Sequence, residues 1–356
     1  MFRDTTLPVP VAIVGLGRAG WNMHLKALVK HGGFQIVDVA DPVAERCREA
    51  ADLTGCGAFS DIDALLAKTK AELVVVATPS SMHYEDAAKV FRSGRHCILE
   101  KPMAFRASEA VRLAEMAGEN NLGLFVHHNQ LHLPEYWHLK QAMAGDVLGK
   151  LFHLRVFWGM YRRRWDWQTL KKNGGGQLSN TCSHVLSIVL PLLPGRAECV
   201  YCELRNIKDA GDAEDHVHLV LQTDTGMTVD VVVSTAIEAM APRWMLCGEY
   251  GTLVSDGTRG CLRYIDPAGL PPLSVIDAAA PNRAYMKEEL CWREEEIRAD
   301  ASSIPPFHQN VFEALTRQAP LVVTPESAIE VVRVIEEARL AATLHSTALP
   351  EVPSVA

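Results

Sequence analysis

Six residues near the start of the chain, Gly15-Leu16-Gly17-Arg18-Ala19-Gly20, constrain its fold more than any other stretch. Residues 9–14 before them are a short continuous apolar run, the pattern of a buried parallel strand. After them Leu25, Leu28 and Val29 recur at helical spacing through residues 21–30. Strand, glycine turn and helix in that order make a dinucleotide-binding turn. Gly15 permits the tight turn, Gly17 lets the backbone approach a pyrophosphate, and Gly20 lets the helix pack close to the strand. Arg18 and Ala19 complete the loop. The phosphates then sit at the helix N-terminus, where free amides and the helix dipole favour negative charge.

A second strand over residues 35–40 ends at Asp41-Pro42, and Asp41 falls 21 residues after Gly20. That is the place for a carboxylate that accepts hydrogen bonds from the adenosine ribose hydroxyls. The same charge repels a 2'-phosphate, so NAD is expected as cofactor, with NADP possible. Asp38 competes for the role but sits inside the strand, and Asp41-Pro42 also reads as a plain turn. Residues 73–77 and 96–99 are two further buried strands, ending at Thr78-Pro79-Ser80 and at Glu100-Lys101-Pro102. Doubly wound sheets bind ligands at such C-terminal strand ends. Thr78, Pro79, Ser80 and His83 are therefore expected along the cofactor groove, with Glu100 and Lys101 at its nicotinamide end. A helix over 108–119 and a strand over 122–126 complete a doubly wound parallel α/β domain, placed at residues 8–128.

After Pro134 the rhythm of short buried strands and helices is lost. Residues 136–144 read as a helix, 149–159 as a long strand, and 198–265 as successive antiparallel strands. Residues 216–222 and 227–234 alternate around Thr223-Asp224-Thr225-Gly226, a hairpin signal. Thr324-Pro325 caps a closing helix over 325–344. Residues 129–350 are thus expected to form an α+β domain on a large, mainly antiparallel open sheet. Within it Gly174-Gly175-Gly176 leads into a mostly apolar segment, 177–193, interrupted by Asn180, His184 and Ser187. A helix puts those three on one face. They either meet a bound ligand or form a buried histidine with asparagine as its partner. Trp158, Tyr161, Trp165 and Trp167, interleaved with Arg162 to Arg164, suit stacking on a sugar as well as a core or a dimer interface.

Composition limits the partners. Among 356 residues 48% are hydrophobic and 22% charged, enough for two cores, and a net charge of -8 gives no reason to expect nucleic acid. A small uncharged substrate fits better. No apolar run reaches membrane-spanning length. Nine cysteines without even spacing, and no leader at the N-terminus, point to a cytoplasmic protein. Cys199-Val200-Tyr201-Cys202 has redox or zinc spacing, but a regular strand there points the two sulfurs to opposite faces. No metal site is expected, the adjacent His127 and His128 included, because neighbouring residues on a strand also face opposite ways.

The order of these motifs resembles the glucose-fructose oxidoreductase, inositol dehydrogenase and rhizopine-catabolism (Gfo/Idh/MocA) family. The likeness runs over nearly the whole chain. It includes Gly145-Asp146-Val147-Leu148-Gly149, Gly248-Glu249-Tyr250-Gly251-Thr252-Leu253 and the stretch from Pro320 to Glu326. The resemblance implies a Rossmann domain followed by a sheet domain that often forms an oligomer interface, so a homodimer or homotetramer. It also implies NAD(P)-dependent oxidation of a ring hydroxyl in a sugar, an inositol or a derivative, or the reverse reduction. Carried over, Lys101 polarises the reacting oxygen, Glu100 lies near the nicotinamide ribose, and His184 is the general acid and base, with a pKa suited to the task. Lys101, Asn129, Trp165, Asn180 and His184 are the expected substrate contacts.

One departure matters. The family's usual aspartate four residues before the histidine is Asn180 here, and that three residues after it is Ser187. Asparagine can orient His184 or bind a hydroxyl, but it cannot stabilise an imidazolium by charge. Asp166 offers a carboxylate nearby in sequence. Around Asn129, His127-His128-Asn129-Gln130 replaces an arginine-aromatic pattern. Two alternatives to a dehydrogenase therefore stand: an enzyme that retains NAD and hydrolyses, epimerises or eliminates through a transient keto sugar, and a nucleotide-sensing binding protein without chemistry.

Overall fold

The computed structural model describes residues 8–238, 241–277, 287–298 and 304–346. The first sheet contains β1 (Val9–Val14), β2 (Phe34–Ala40), β3 (Gly57–Phe59), β4 (Leu73–Val76), β5 (His96–Leu99) and β6 (Leu124–Val126). All neighbours are parallel, in the order β3-β2-β1-β4-β5-β6. Every residue of β4 is buried because helices cover both faces, which is why its sequence is apolar without alternation. The order reverses between β1 and β4. Doubly wound sheets bind ligands in the crevice at such a point, above the C-terminal ends of the strands. The helix after the glycine turn runs from Gly20 to His31, with Gly20–Leu25 wound as a wider π-helix where the sequence predicts a plain α-helix.

The second sheet is built from β7 (Leu151–Gly159), β8 (Ala197–Arg205), β9 (His216–Thr223), β10 (Thr228–Ser234), β11 (Trp244–Gly248), β12 (Gly251–Ser255), β13 (Arg259–Ile265) and β14 (Trp292–Arg298). Its order is β14-β13-β12-β11-β7-β10-β9-β8, antiparallel except between β7 and β10. The expected hairpin is β9 and β10. Period-two alternation gives the sheet two different faces. Leu219, Val231, Val156, Trp244 and Leu253 are buried under helices. On the opposite face Asp230, Arg155, Met245, Val254, Cys261 and Glu296 form one cross-strand row left open.

In β8 the expectation for the two cysteines fails. A bulge between Cys199 and Tyr201 shifts the register, so that Cys199 pairs with Leu221 and Cys202 with Leu219. Leu219 and Leu221 share the buried face, so both sulfurs point there too. The extra residue, Val200, cancels the alternation that otherwise separates positions three apart.

The helix Phe307–Arg317 crosses back in space. Phe307 and Val311 are buried among Val9, Val11, Ile13, Leu25 and Leu28, so this late helix closes a core of the first sheet. The long helix Pro325–Ser346 packs between β8 and the helix Ala107–Glu119, joining both sheets into one core. Among the described residues no helix is long and apolar enough to cross a membrane.

Candidate active site

At the cofactor edge the backbone dictates the glycines. Gly15 has φ +89°, and a Cβ there comes within 2.6 Å of the Ala77 carbonyl oxygen. A Cβ on Gly20 collides with the Gly15 carbonyl. Gly17 is different, since a Cβ there meets nothing within 4 Å. The loop thus presents bare backbone to open space at the start of a helix, a cradle that fits a pyrophosphate. Arg18 is exposed beside it.

The carboxylates at the end of β2 separate cleanly. Asp41 is buried, with Oδ2 accepting from the Leu16 N–H at 2.7 Å and Oδ1 from the Val43 N–H at 2.9 Å. It thereby ties the glycine loop to the tip of β2, with Arg46 Nη1 3.4 Å away. Asp38 turns elsewhere and accepts from Thr69 Oγ1 at 2.6 Å. At the end of β4, Thr78 Oγ1 donates to Asp86 at 2.8 Å, and Pro79 is exposed. His83 is buried, its Nδ1 2.7 Å from the Pro102 carbonyl and its Nε2 3.0 Å from that of Thr78. Its ring straps together the ends of β4 and β5, the two loops that flank the crevice. Ser80 lines a small cavity with Lys101, Gln168, Ser179 and Asn180.

Glu100 faces inward. Its Oε1 accepts from His127 Nδ1 at 2.8 Å and from His24 Nε2 at 3.0 Å, and its Oε2 lies 3.2 Å from the Lys101 N–H. Burial alone raises a carboxyl pKa, but the charges and hydrogen bonds of His127 and His24 outweigh it and hold Glu100 well below the usual carboxylate range. His24 Nδ1 in turn meets His308 Nε2 at 3.1 Å, on the returning helix. His24 Nε2, Glu100 Oε1 and His127 Nδ1 lie within 4.8 Å of one another, a set of metal-type donors whose spacings are those of hydrogen bonds.

Lys101, joined to Pro102 by a cis peptide bond, aims the other way. Its Nζ donates to the Asn180 carbonyl at 2.8 Å and to Asn180 Oδ1 at 3.1 Å. That carbonyl lies in a π-turn, Leu178–Cys182, at the head of the helix Ser183–Val189, and it also accepts from Ser183 Oγ at 3.1 Å. Burial pulls Lys101 down to about 8 against the pull of Glu100, and the charges of Arg18 and Arg164 add to the fall. His184, one turn after Asn180, is pushed well below the usual histidine range by burial and then by Lys101 and His128. Its Nδ1 is buried without a hydrogen-bond partner, and Ser187 donates only to the His184 carbonyl, at 2.8 Å. Asn180 and His184 do not bond each other in the manner of a buried pair, since the Asn180 side chain is committed to Lys101.

The glycine triplet is set by close packing. Gly176 has φ +103°, and a Cβ on it strikes the Glu214 carboxylate. Trp165 is 81% exposed and Trp167 and Tyr161 also face solvent, while Trp158 lies under the Arg243 guanidinium at 3.6 Å. Asp166 is engaged by Arg164 at 2.8 Å and 2.9 Å and does not take the place of the absent carboxylate.

Sequence reasoning passed over His24 and His308, and named His128 only within the stretch that replaces an arginine-aromatic pattern. His24 had a signal, a polar residue on the helical face of Leu25 and Leu28. His308 had none, being 284 residues from its partner. His128 is buried, with its Nδ1 lacking a hydrogen-bond partner, and burial followed by the charge of Lys101 holds it down to about 3.

Comparison with known proteins agrees with this geometry. A family model described as "Oxidoreductase family, NAD-binding Rossmann fold" matches residues 9–128, and one described as "GFO/IDH/MocA C-terminal domain" matches residues 136–254. The chain is 25% identical over 340 residues to scyllo-inositol 2-dehydrogenase (NADP+) of Bacillus subtilis, covering 93% of this chain and 92% of that one. Among solved structures, an NAD-binding protein from Listeria innocua shares the fold at TM-score 0.80 and 24% identity, covering 95% of each chain. The WlbA dehydrogenase from Bordetella pertussis, in complex with NADH and UDP-GlcNAcA, shares it at TM-score 0.76 and 22% identity, covering 95% of this chain and 97% of that one. With a glycine cradle on the first sheet, Lys101 at the end of β5 and both domains matched, the chain belongs to the Gfo/Idh/MocA family of NAD(P)-dependent oxidoreductases.

Proposed function

We propose that this protein moves a hydride between NAD and a secondary ring hydroxyl, or the corresponding ketone, of a cyclitol or sugar. The observation that carries this reading is the fixing of Lys101 Nζ by both oxygens of Asn180, 2.8 and 3.1 Å away, at the head of the helix that bears His184. An ammonium has three donors, and two are taken. The third is left for the reacting oxygen. Gly15, Gly17, Gly20, Asp41, Thr78 and Ser80 hold the cofactor, while His83 and Glu100 act through the loops and neighbours they fix. When bound, the nicotinamide supplies hydride uptake and release. Lys101 holds the substrate oxygen, and neutral His184 takes its proton in oxidation and returns it in reduction. Asn180 positions Lys101 without adding charge.

Absorbance assays with NAD and NADP across inositols, sugars and nucleotide sugars test the reading. Lys101→Ala and His184→Ala each lower kcat by about 10²- to 10⁴-fold. Full turnover in either variant would show the assignment to be wrong. A retained-cofactor reading draws on Asn180, which leaves His184 without a charged partner. It requires glycoside conversion without release of free NADH.

We further propose that the open face of the second sheet joins copies of the chain. Supporting this, Phe157, Met160, Val254 and Cys261 line a groove there together with Arg243 and Glu296. Sedimentation equilibrium at micromolar concentration should give a dimer or tetramer, and a monomer throughout would overturn the idea.

A further inference from the structure

Among the described residues, His128 Nδ1 and His184 Nδ1 are buried without hydrogen-bond partners, and Asn129 Oδ1, next in sequence to His128, is another such atom. Such atoms are uncommon in folded proteins, because each forfeits its hydrogen bonds to water on burial and gains nothing in return. His184 has a part in the chemistry already described. His128 has none. It stands at the end of β6, the strand beside β5, and its ring is buried at 1% exposure. β5 and β6 pair in parallel with Leu99 opposite Val126 and His127 on Glu100, so His128 lies alongside Lys101, whose charge bears on both His128 and His184. The neighbouring His127 points the opposite way, to Glu100, as alternation at a strand end requires. A ring held beside the site with a nitrogen unbonded is a contact waiting for a ligand.

Its charge state selects the ligand group. A protonated His128 would sit against the Lys101 ammonium, so the ring stays neutral, one nitrogen donating and the other accepting. A neutral imidazole of that kind matches a hydroxyl, which also donates and accepts. It gives a carboxylate or phosphate no countercharge.

We propose that His128 binds the hydroxyl on the carbon next to the reacting one, so that the substrate is a vicinal ring diol. The proposal rests on the dehydrogenase reading above. Lys101 and His184 address the first oxygen and His128 the second, with Asn129 beside it. His128 is thus a specificity-determining contact that touches substrate and moves no proton.

The test compares diols with analogues lacking the second hydroxyl, in the full-length enzyme with NAD. The probes are scyllo-inositol, D-glucose and UDP-N-acetylglucosamine, each beside its analogue deoxygenated next to the reacting carbon. No turnover of any diol overturns both the dehydrogenase reading and this proposal. Given turnover, wild type should prefer the diol in kcat/KM by about tenfold or more, the usual scale for one substrate hydroxyl recognised by a buried polar group. A preference below about threefold overturns the proposal alone, whatever the variants do. His128→Phe, which keeps the ring shape without its nitrogens, should remove that preference through KM, leave the deoxy analogue within about twofold and leave NAD affinity unchanged. His128→Asn, which keeps a polar atom near the position of Nδ1, should restore part of it. An equal loss on both substrates marks a structural role and overturns the proposal. So does a loss of NAD affinity, which would move the contact to the cofactor.

Discussion

The two sides of the crevice are built on opposite principles. On the cofactor side the polar groups that shape the loops are already paired within the protein. Asp41 accepts from Leu16 and Val43, Thr78 donates to Asp86, His83 straps Thr78 to Pro102, and Glu100 is held between His24 and His127. On the proposed substrate side His128 and His184 each keep a buried polar atom without a partner. A preformed cradle loses little on binding a cofactor common to many enzymes. On the proposal above, the unpaired atoms opposite concentrate recognition where the substrate must be told from its analogues, because there a missing hydroxyl leaves a buried group unsatisfied.

The strongest way to break this contrast is to disturb the paired side at its centre. Glu100→Gln keeps the shape but removes a buried charge from beside two histidines. It should lower stability at pH 7 by about 3 kcal/mol, the scale for breaking a buried charged network. The pH dependence fixes the sign. The folded carboxyl is held well below its ordinary value, so its contribution is complete above the unfolded pKa of about 4.3 and is lost as pH falls toward the folded value. Urea melts should therefore show the gap between wild type and variant narrowing by about 1 kcal/mol from pH 7 to pH 3.5. A gap constant with pH would rule out the charge as its cause. Burial also lowers His308, to about 2. It withdraws stability as pH falls below about 6.5, where the unfolded ring begins to take up a proton.

The contrast also marks where the sequence could be read. The central strands β1, β4 and β5 are apolar runs because they are buried on both faces, and β9 and β10 alternate because one face is open, so pattern alone placed them. The edge strand β14 shows neither pattern. Trp292–Arg298 is almost wholly exposed and charged, as an unprotected edge requires, and nothing in its composition signals a strand. Spacing and resemblance singled out Asn180, His184 and Lys101 as candidates, and the structure brings Lys101 and Asn180 into contact. The returning helix Phe307–Arg317 was not. Its apolar spacing marks a helix, but only tertiary packing decides that Phe307 enters the first core and carries His308 to His24. The bulge at Val200 was equally hidden, because one inserted residue reverses a facing argument without altering composition.

The smaller and sharper test concerns Asn180, which stands where the family resemblance implies an aspartate. Its two oxygens fix Lys101 as an aspartate would, yet without charge they leave the ammonium to burial, which brings Lys101 to about 8. If the ammonium must donate to the reacting oxygen, kcat/KM should fall as pH rises through that value, as the donor loses its proton. Asn180→Asp places a carboxylate within hydrogen-bond reach of Nζ. An opposite charge at that distance favours the ammonium, so the alkaline limb should move up by about 1 pH unit or more. The variant also gives His184 a negative neighbour, so its proton affinity should rise and any acid limb should move up too. Both limbs moving up together, with the fold intact by urea melt, identify Asn180 as the residue that sets the working pH. An alkaline limb that stays in place would assign it to a group other than Lys101.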